Sequence, residues 1–275
     1  NVFASLPVTQ KLARHASSAI LEAVMVTGAL YNRELPFLTS AAEQLGLAHM
    51  KRVIKDPVLR RQLTPDYSFG CKRPTFSNTY YPTFNRDNVD LVTDPISHIE
   101  ADGIVTKDGR KREIDTLILA TGFKFWEKGN FPAFPVQGRD GKELGSWWMQ
   151  NSYQAYEGIS VPGFPNLFNL PSPYSFTGLS YFFTIEAHMK HMHRCLGEMR
   201  RQGRQSFEVD GAANEAYMQR MRRSLRSSVF VNGSCGGSNS YYFNPHGEAA
   251  MLRPTPTPVA LWEADHFPLA HYRFE

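Results

Sequence analysis

The sequence predicts an α/β fold, and within it the trailing part of an open parallel sheet that is incomplete without strands from upstream. Three observations predict this. Apolar residues recur at helical spacing through the first 66 residues. Beyond Tyr67 the texture changes to short segments bounded by turn residues. One of these, Thr116-Leu117-Ile118-Leu119-Ala120, is a continuous apolar run ending in Thr121-Gly122, the pattern of a strand buried on both faces with a tight turn at its C-terminal end.

The elements follow in order. Pro7 is tolerated in a first helical turn, and Leu12, Ala16, Ala19, Ile20, Ala23, Val24 and Leu30 mark one helical face, broken at Gly28. A second helix is predicted over 39–53, through Ala42, Leu45, Leu47 and Met50. Asp56-Pro57 and Thr64-Pro65-Asp66 read as turns. Asn88–Val92 reads as a strand, and 98–114 as a hairpin turning at Asp108-Gly109. Residues 124–178 are rich in Gly, Pro and aromatics with little periodicity, so surrounding structure must hold them; Asn166–Leu170 is the one strand candidate inside. A helix over 180–203 closes at Gly203, and Asp210 caps another over 212–227. The tail from Val229 reads as strand, loop and a turn at Pro254-Thr255-Pro256-Thr257-Pro258. The strands are too few and too scattered for a complete doubly wound sheet.

Composition narrows the function classes. With 275 residues, 42% of them hydrophobic, the chain can bury a core, which excludes a disordered protein. Thirty basic against 26 acidic residues give a net charge of +4, too mild for a nucleic-acid-binding balance. Arginines at 200, 201, 204, 220, 222, 223 and 226 suit solvated helix faces, or an anionic surface or partner. Cys71, Cys195 and Cys235 form neither a CxxC nor a metal-ligand spacing, and a sparse, odd count suits a reducing cytoplasm. No run is apolar enough to cross a bilayer and no signal peptide opens the chain, which lacks an initiator Met and so reads as a fragment.

Four segments could carry chemistry. Phe69-Gly70-Cys71-Lys72-Arg73-Pro74 puts two cations on a constrained loop, which suits a phosphate or a developing oxyanion, or is a solvated loop. Asp115–Phe123 brings a Gly turn to the end of a strand, where ligands of open α/β sheets bind, or is a strand leaving a core. Ser172–Gly178 leads into the 180 helix, whose N-terminus offers N–H groups to an anion or an electron-rich ring, or is a capped helix start. Ser234–Tyr242 is a Gly/Ser stretch that could close over a ligand, or a surface loop. His188 and His191 have the spacing of metal ligands, with His193 and Glu186 on the same helix, but without an established third ligand a metal is the weaker reading; Met189, Met192 and Met199 of that helix read as packing. No nucleophile elbow or carboxylate pair supports a hydrolase.

Together, Gly70–Pro74, Thr79-Tyr80-Tyr81, Phe84–Val89, Asp115–Phe123, Gly163–Phe168 and Ile185–His188 resemble, in order and spacing, the Baeyer–Villiger and related class B flavin monooxygenases. The resemblance implies a Rossmann-like flavoprotein with two dinucleotide-binding domains and a helical insertion. Residues 1–66 would be the insertion, 67–123 the C-terminal part of the NADP domain, and 124–275 that of the FAD domain. It implies FAD and NADPH as cofactors, and oxygenation of a small apolar ketone, sulfide or amine through a peroxyflavin. Because the reacting species are anionic, a fixed cation is needed; by resemblance it is Arg73, and an arginine stays charged at any working pH. Lys72 would meet the 2′-phosphate of NADPH. Thr121 and Gly122 would sit at the return crossover between the domains, and Ser175, with its loop, beside the isoalloxazine ring. Tyr241 would belong to a mobile loop over NADP, although the family's Trp before a Tyr is here Tyr241-Tyr242 after Ser240.

The departure is an absence: neither of the two G-x-G-x-x-G-type motifs of the family occurs, nor its fingerprint containing His and Trp. The resemblance therefore covers the C-terminal part of a protein of roughly 500 residues. The rival is a catalytically inactive piece that binds or oligomerises, as a homo-oligomer or with a complementary N-terminal half. A pyridine-nucleotide-disulfide reductase, suggested by the shared Ala120-Thr121-Gly122 strand end, would need a redox-active Cys pair, which this chain lacks.

Overall fold

The computed structural model describes residues 7–127, 129–178 and 180–275. The chain divides into two compact units, one of residues 1–43, 66–74 and 124–275, the other of 44–65 and 75–123. The boundary at Glu43 falls within a helix, so the N-terminal helical stretch is shared between both.

In the first unit, helix α1 (Pro7–Leu21) runs through a π-helical turn (Glu22–Val26) into α2 (Thr27–Leu30). The wider turn is matched by the Thr27 hydroxyl, which donates to the Glu22 carbonyl at 3.0 Å. Gly28 does not break this stretch; its bare Cα lets Leu38 approach to 3.0 Å of where a Cβ would sit. Helix α3 (Pro36–Val53) begins earlier than its apolar pattern suggested.

The aromatic stretch after Lys124 forms a core of its own. Phe131 stacks on Trp148 at 5.1 Å, and Trp126 and Tyr153 meet edge to face at 4.7 Å. Large flat side chains substitute here for regular backbone. Helix α6 (Leu144–Asn151) carries Trp148 into this core, capped by the Glu143 carboxylate. Helices α7 (Tyr181–Arg201) and α8 (Gly211–Leu225) form close to their predicted spans, with Ser180 and Asp210 accepting from the first free N–H groups. Between them, β4 (Phe207–Val209) pairs antiparallel with the C-terminal β5 (Tyr272–Phe274).

Several expectations fail in this unit and the next. Asn166–Leu170 is turn, because Asn166 adopts φ +57° and bonds the Phe207 backbone individually rather than as a strand. The tail opens on a short helix, α9 (Val229–Asn232), and the proline run leads into α10 (Thr257–His266), with a proline in its first turn where no N–H is needed. Asp56-Pro57 is likewise a helix start: Asp56 caps α4 (Pro57–Leu63), accepting from Val58 N at 2.8 Å. Asn88–Val92 is not a strand, since Val89 N folds back onto the Arg86 carbonyl. Thr116–Ala120 forms no strand either, and Ile118 and Leu119 are 83% and 72% exposed.

The second unit holds α4, the short α5 (Tyr80–Thr83) and a three-stranded antiparallel meander of β1 (Ile96–Glu100), β2 (Gly103–Thr106) and β3 (Lys111–Glu113). The predicted hairpin at Asp108-Gly109 is the β2–β3 turn; a second turn at Ala101-Asp102 makes it a meander. Both named sheets among the described residues are antiparallel, so the parallel sheet that 116–120 would join is not formed by this chain. A strand without neighbours has no partners for its N–H and C=O groups and stays irregular.

Candidate functional site

Three of the four segments with chemical potential converge in the first unit. The loop 67–74 turns at Gly70, whose φ of +99° favours glycine and whose missing side chain leaves Val229 room at 3.3 Å. The Gly/Ser loop packs against it: a Cβ on Gly233 would stand 2.7 Å from the Val229 carbonyl and 3.1 Å from Ser68, so only glycine fits. Ser234 N donates to the Ser68 hydroxyl at 2.9 Å. Cys71 and Cys235 then bridge the two loops by a disulfide, with Cα atoms 5.2 Å apart. This corrects the expectation of reduced, unpaired cysteines: 164 residues separate the two, so no local spacing could reveal the pair. Only Cys195 is free; burial pushes its thiol up to about 12, which leaves it inert.

The two cations leave this junction in different directions. The Lys72 ammonium lies over the Tyr67 ring, 4.9 Å from its centre. Arg73 is exposed, lies over the Phe176 ring 5.7 Å from its centre, and stands close enough to Tyr242 for its charge to act on that hydroxyl. Burial raises the Tyr242 pKa, so the hydroxyl stays neutral. Phe176 is itself fixed, its N–H bonded to the Met251 carbonyl and its carbonyl to Arg253 N. Its neighbour Ser175 is buried and accepts from Ser172 N at 3.2 Å. Gly158 permits this fold of the loop, since a Cβ there would meet Ser175 Cα at 2.5 Å.

Tyr241 is half-exposed, with its carbonyl accepting from the Trp126 indole at 2.8 Å. Its ring meets Tyr242 edge-on at 5.0 Å, but it is Tyr242 that reaches Arg73. Adjacent tyrosines gave the sequence reading no way to choose between them. The same loop bounds a cavity of about 410 Å³, lined in part by Phe230, Cys235, Ser238 and Phe243. The Ser238 hydroxyl is buried there without a partner. Thr121 and Gly122 lie in the other unit, both exposed, with Gly122 at φ +86°.

Both His188 and His191 are buried. His191 stacks on Phe267 at 3.8 Å and shares a 2.7 Å hydrogen bond with the Tyr272 hydroxyl. Burial and Arg253 hold the His188 imidazole down to about 4. Among the described residues, no three His, Cys, Asp or Glu side chains cluster as metal ligands, and no helix is long and apolar enough to cross a membrane. A cluster the sequence did not suggest is buried Arg253, which bonds Glu157 at 2.5 Å and also Glu263, which in turn bonds Arg220.

No protein-family model matches the chain. It is 37% identical over 246 residues to a Baeyer–Villiger monooxygenase of Pseudomonas aeruginosa, covering 88% of this chain and 44% of that protein. It is 31% identical over 273 residues to one of Streptomyces coelicolor, covering 98% of this chain and 50% of the relative. A steroid monooxygenase structure with bound NADP superposes with a TM-score of 0.74 at 26% identity, over 88% of this chain and 46% of that one. The chain thus spans about half the length of the relatives it matches. With this likeness extending over nearly all its residues, the chain belongs to the Baeyer–Villiger and related class B flavin monooxygenases, as their C-terminal portion.

Proposed function

We propose that these residues supply the cationic and loop-closing part of an FAD- and NADPH-dependent monooxygenase that oxygenates a small apolar ketone, sulfide or amine. The observation that carries the reading is Arg73, lying over Phe176 and beside Tyr242 where the three loops converge. The fit to the cofactors is partial. A cation pair on a pinned loop and an unpartnered buried Ser238 hydroxyl suit a phosphorylated, hydrogen-bonding ligand. No glycine-rich pyrophosphate motif occurs in the 275 residues, so the pyrophosphates would be held by other residues.

Bound FAD, reduced by NADPH, would supply the electrons that activate dioxygen. Arg73 would hold negative charge developing on oxygen, with donors already oriented by Phe176 and Tyr242. Lys72 would take the 2′-phosphate, Ser175 would shape the wall beside the flavin ring, and Tyr241 with its loop would exclude water over NADP. Thr121 and Gly122 would form the crossover. In the protein with both halves present, Arg73→Ala should cut oxygenation by about 10²–10³-fold while NADPH oxidation continues. Unchanged product formation would sink the assignment.

A second reading, a binding or oligomerisation module without catalysis, is favoured by one observation: the apolar run through Ile118, Leu119 and Phe123 is exposed. A cytoplasmic location, inferred from sparse cysteines, requires the Cys71–Cys235 pair to be redox-active rather than a permanent cross-link.

A further inference from the structure

We propose that Cys71–Cys235 is a reversible redox clamp that holds the Arg73 loop and the Gly/Ser loop together, opened by a dithiol reductant and closed by hydrogen peroxide. The inference rests on the proposed role of the Arg73 loop. A disulfide restrains the two segments it joins. This one joins two irregular loops: the bend that carries Lys72 and Arg73, and the glycine-rich segment after α9. Few other bonds connect them; Ser234 N to the Ser68 hydroxyl is one. With the bond open, Gly233, Gly236 and Gly237 leave that segment little resistance to moving.

The chemistry favours exchange at one particular sulfur. Cys71 is wholly buried, whereas Cys235 is 5% exposed and lines the cavity of about 410 Å³. A thiolate entering the cavity attacks the Cys235 sulfur, forming a mixed disulfide and expelling Cys71 as the thiolate. The second thiol of the reductant then releases Cys235. In balance, one dithiol becomes a disulfide, and two electrons and two protons reach the protein as two thiols. Hydrogen peroxide reverses this: one cysteine forms a sulfenic acid with loss of water, and the other displaces a second water to restore the bond.

The test uses the protein with both halves present. It is treated with dithiothreitol without denaturant, quenched with iodoacetamide and weighed, while hydrogen exchange is followed peptide by peptide and NADP⁺ binding by calorimetry. Reduction should add two alkyl groups, speed exchange in 66–74 and 233–242 by about tenfold or more, and weaken NADP⁺ binding by a similar factor. Peroxide should restore all three. The Cys71→Ser, Cys235→Ser protein should behave as the reduced form; if it does not fold, the reduction and reoxidation of the unaltered protein give the same readout. A bond that resists reduction without denaturant, or exchange that is the same in both states, overturns the clamp. Reversible exchange changes with no NADP⁺ binding in either state would leave the clamp standing and remove the cofactor reading instead.

Discussion

Arg73 depends on its neighbours for direction rather than for charge. Its guanidinium has one aromatic face beneath it and the Tyr242 hydroxyl nearby, and both come from distant segments. Tyr242→Phe keeps the ring and removes the acceptor, so the cation should swing between orientations. Oxygenation per NADPH consumed should fall by about threefold to tenfold, the equivalent of one ordinary hydrogen bond, while NADPH oxidation is unchanged. Equal coupling in the variant would show that the hydroxyl does not orient Arg73. A second residue-scale effect belongs to His188, held neutral by burial with its pKa lowered from 6.5 to about 4. Between those values the unfolded chain binds the proton and the folded one does not, so stability rises with pH. The contribution is complete above pH 6.5 and is lost as pH falls through 4, a change of ~3 kcal/mol. Urea midpoints across pH 4 to 7 should trace this slope, and His188→Gln should flatten it in part. His191, also lowered by burial, would supply the remainder.

At the scale of elements, the wall around Ser175 depends on a single glycine. Gly158 sits at φ +70° with no room for a Cβ against Ser175 and the Tyr174 carbonyl. Gly158→Ala should destabilise the first unit by about 1–3 kcal/mol and displace the 172–178 segment. Ordinary hydrogen exchange in that segment would contradict the argument. The Arg253 cluster links the Tyr156–Ser160 turn to α8 and α10 in a comparable way. Removing one partner with Glu157→Gln leaves part of a buried charge uncompensated and should cost about 3–5 kcal/mol in urea unfolding. These elements also show what the sequence could disclose. Caps at Ser180 and Asp210 are local chemistry, so helices α7 and α8 were legible. So were the Lys72-Arg73 loop and the Ser172–Gly178 loop, because their residue types carry their meaning. The contacts that make them one site were not: Arg73 meets Phe176 and Tyr242, and Cys71 meets Cys235, across more than a hundred residues. Apolar runs failed for the opposite reason. Thr116–Ala120 has the composition of a buried strand, but composition cannot supply the neighbours that a strand needs.

For the whole molecule, that failed strand is the most informative feature. Leu119 is 72% exposed and Phe123 85%, in a segment whose sequence suits the middle of a parallel sheet. The relatives are about twice as long as this chain, so residues that could pair with the segment exist in them. An unpaired apolar segment has two outlets: pairing with an upstream half, or self-association through exposed backbone and side chains. The isolated chain should therefore sediment as dimers or larger species, with fast amide exchange over 116–123. When the upstream half is present, exchange there should slow by about a hundredfold or more, as it does for strands buried in a sheet. Leu119→Lys should separate the outlets. In the isolated chain the added charge should reduce association. In the protein with both halves it should instead destabilise the fold, because the lysine would be buried on joining the sheet. If the isolated chain is monomeric and Leu119→Lys changes neither state, the segment is an ordinary surface loop, and the sheet of the complete protein must be built without it.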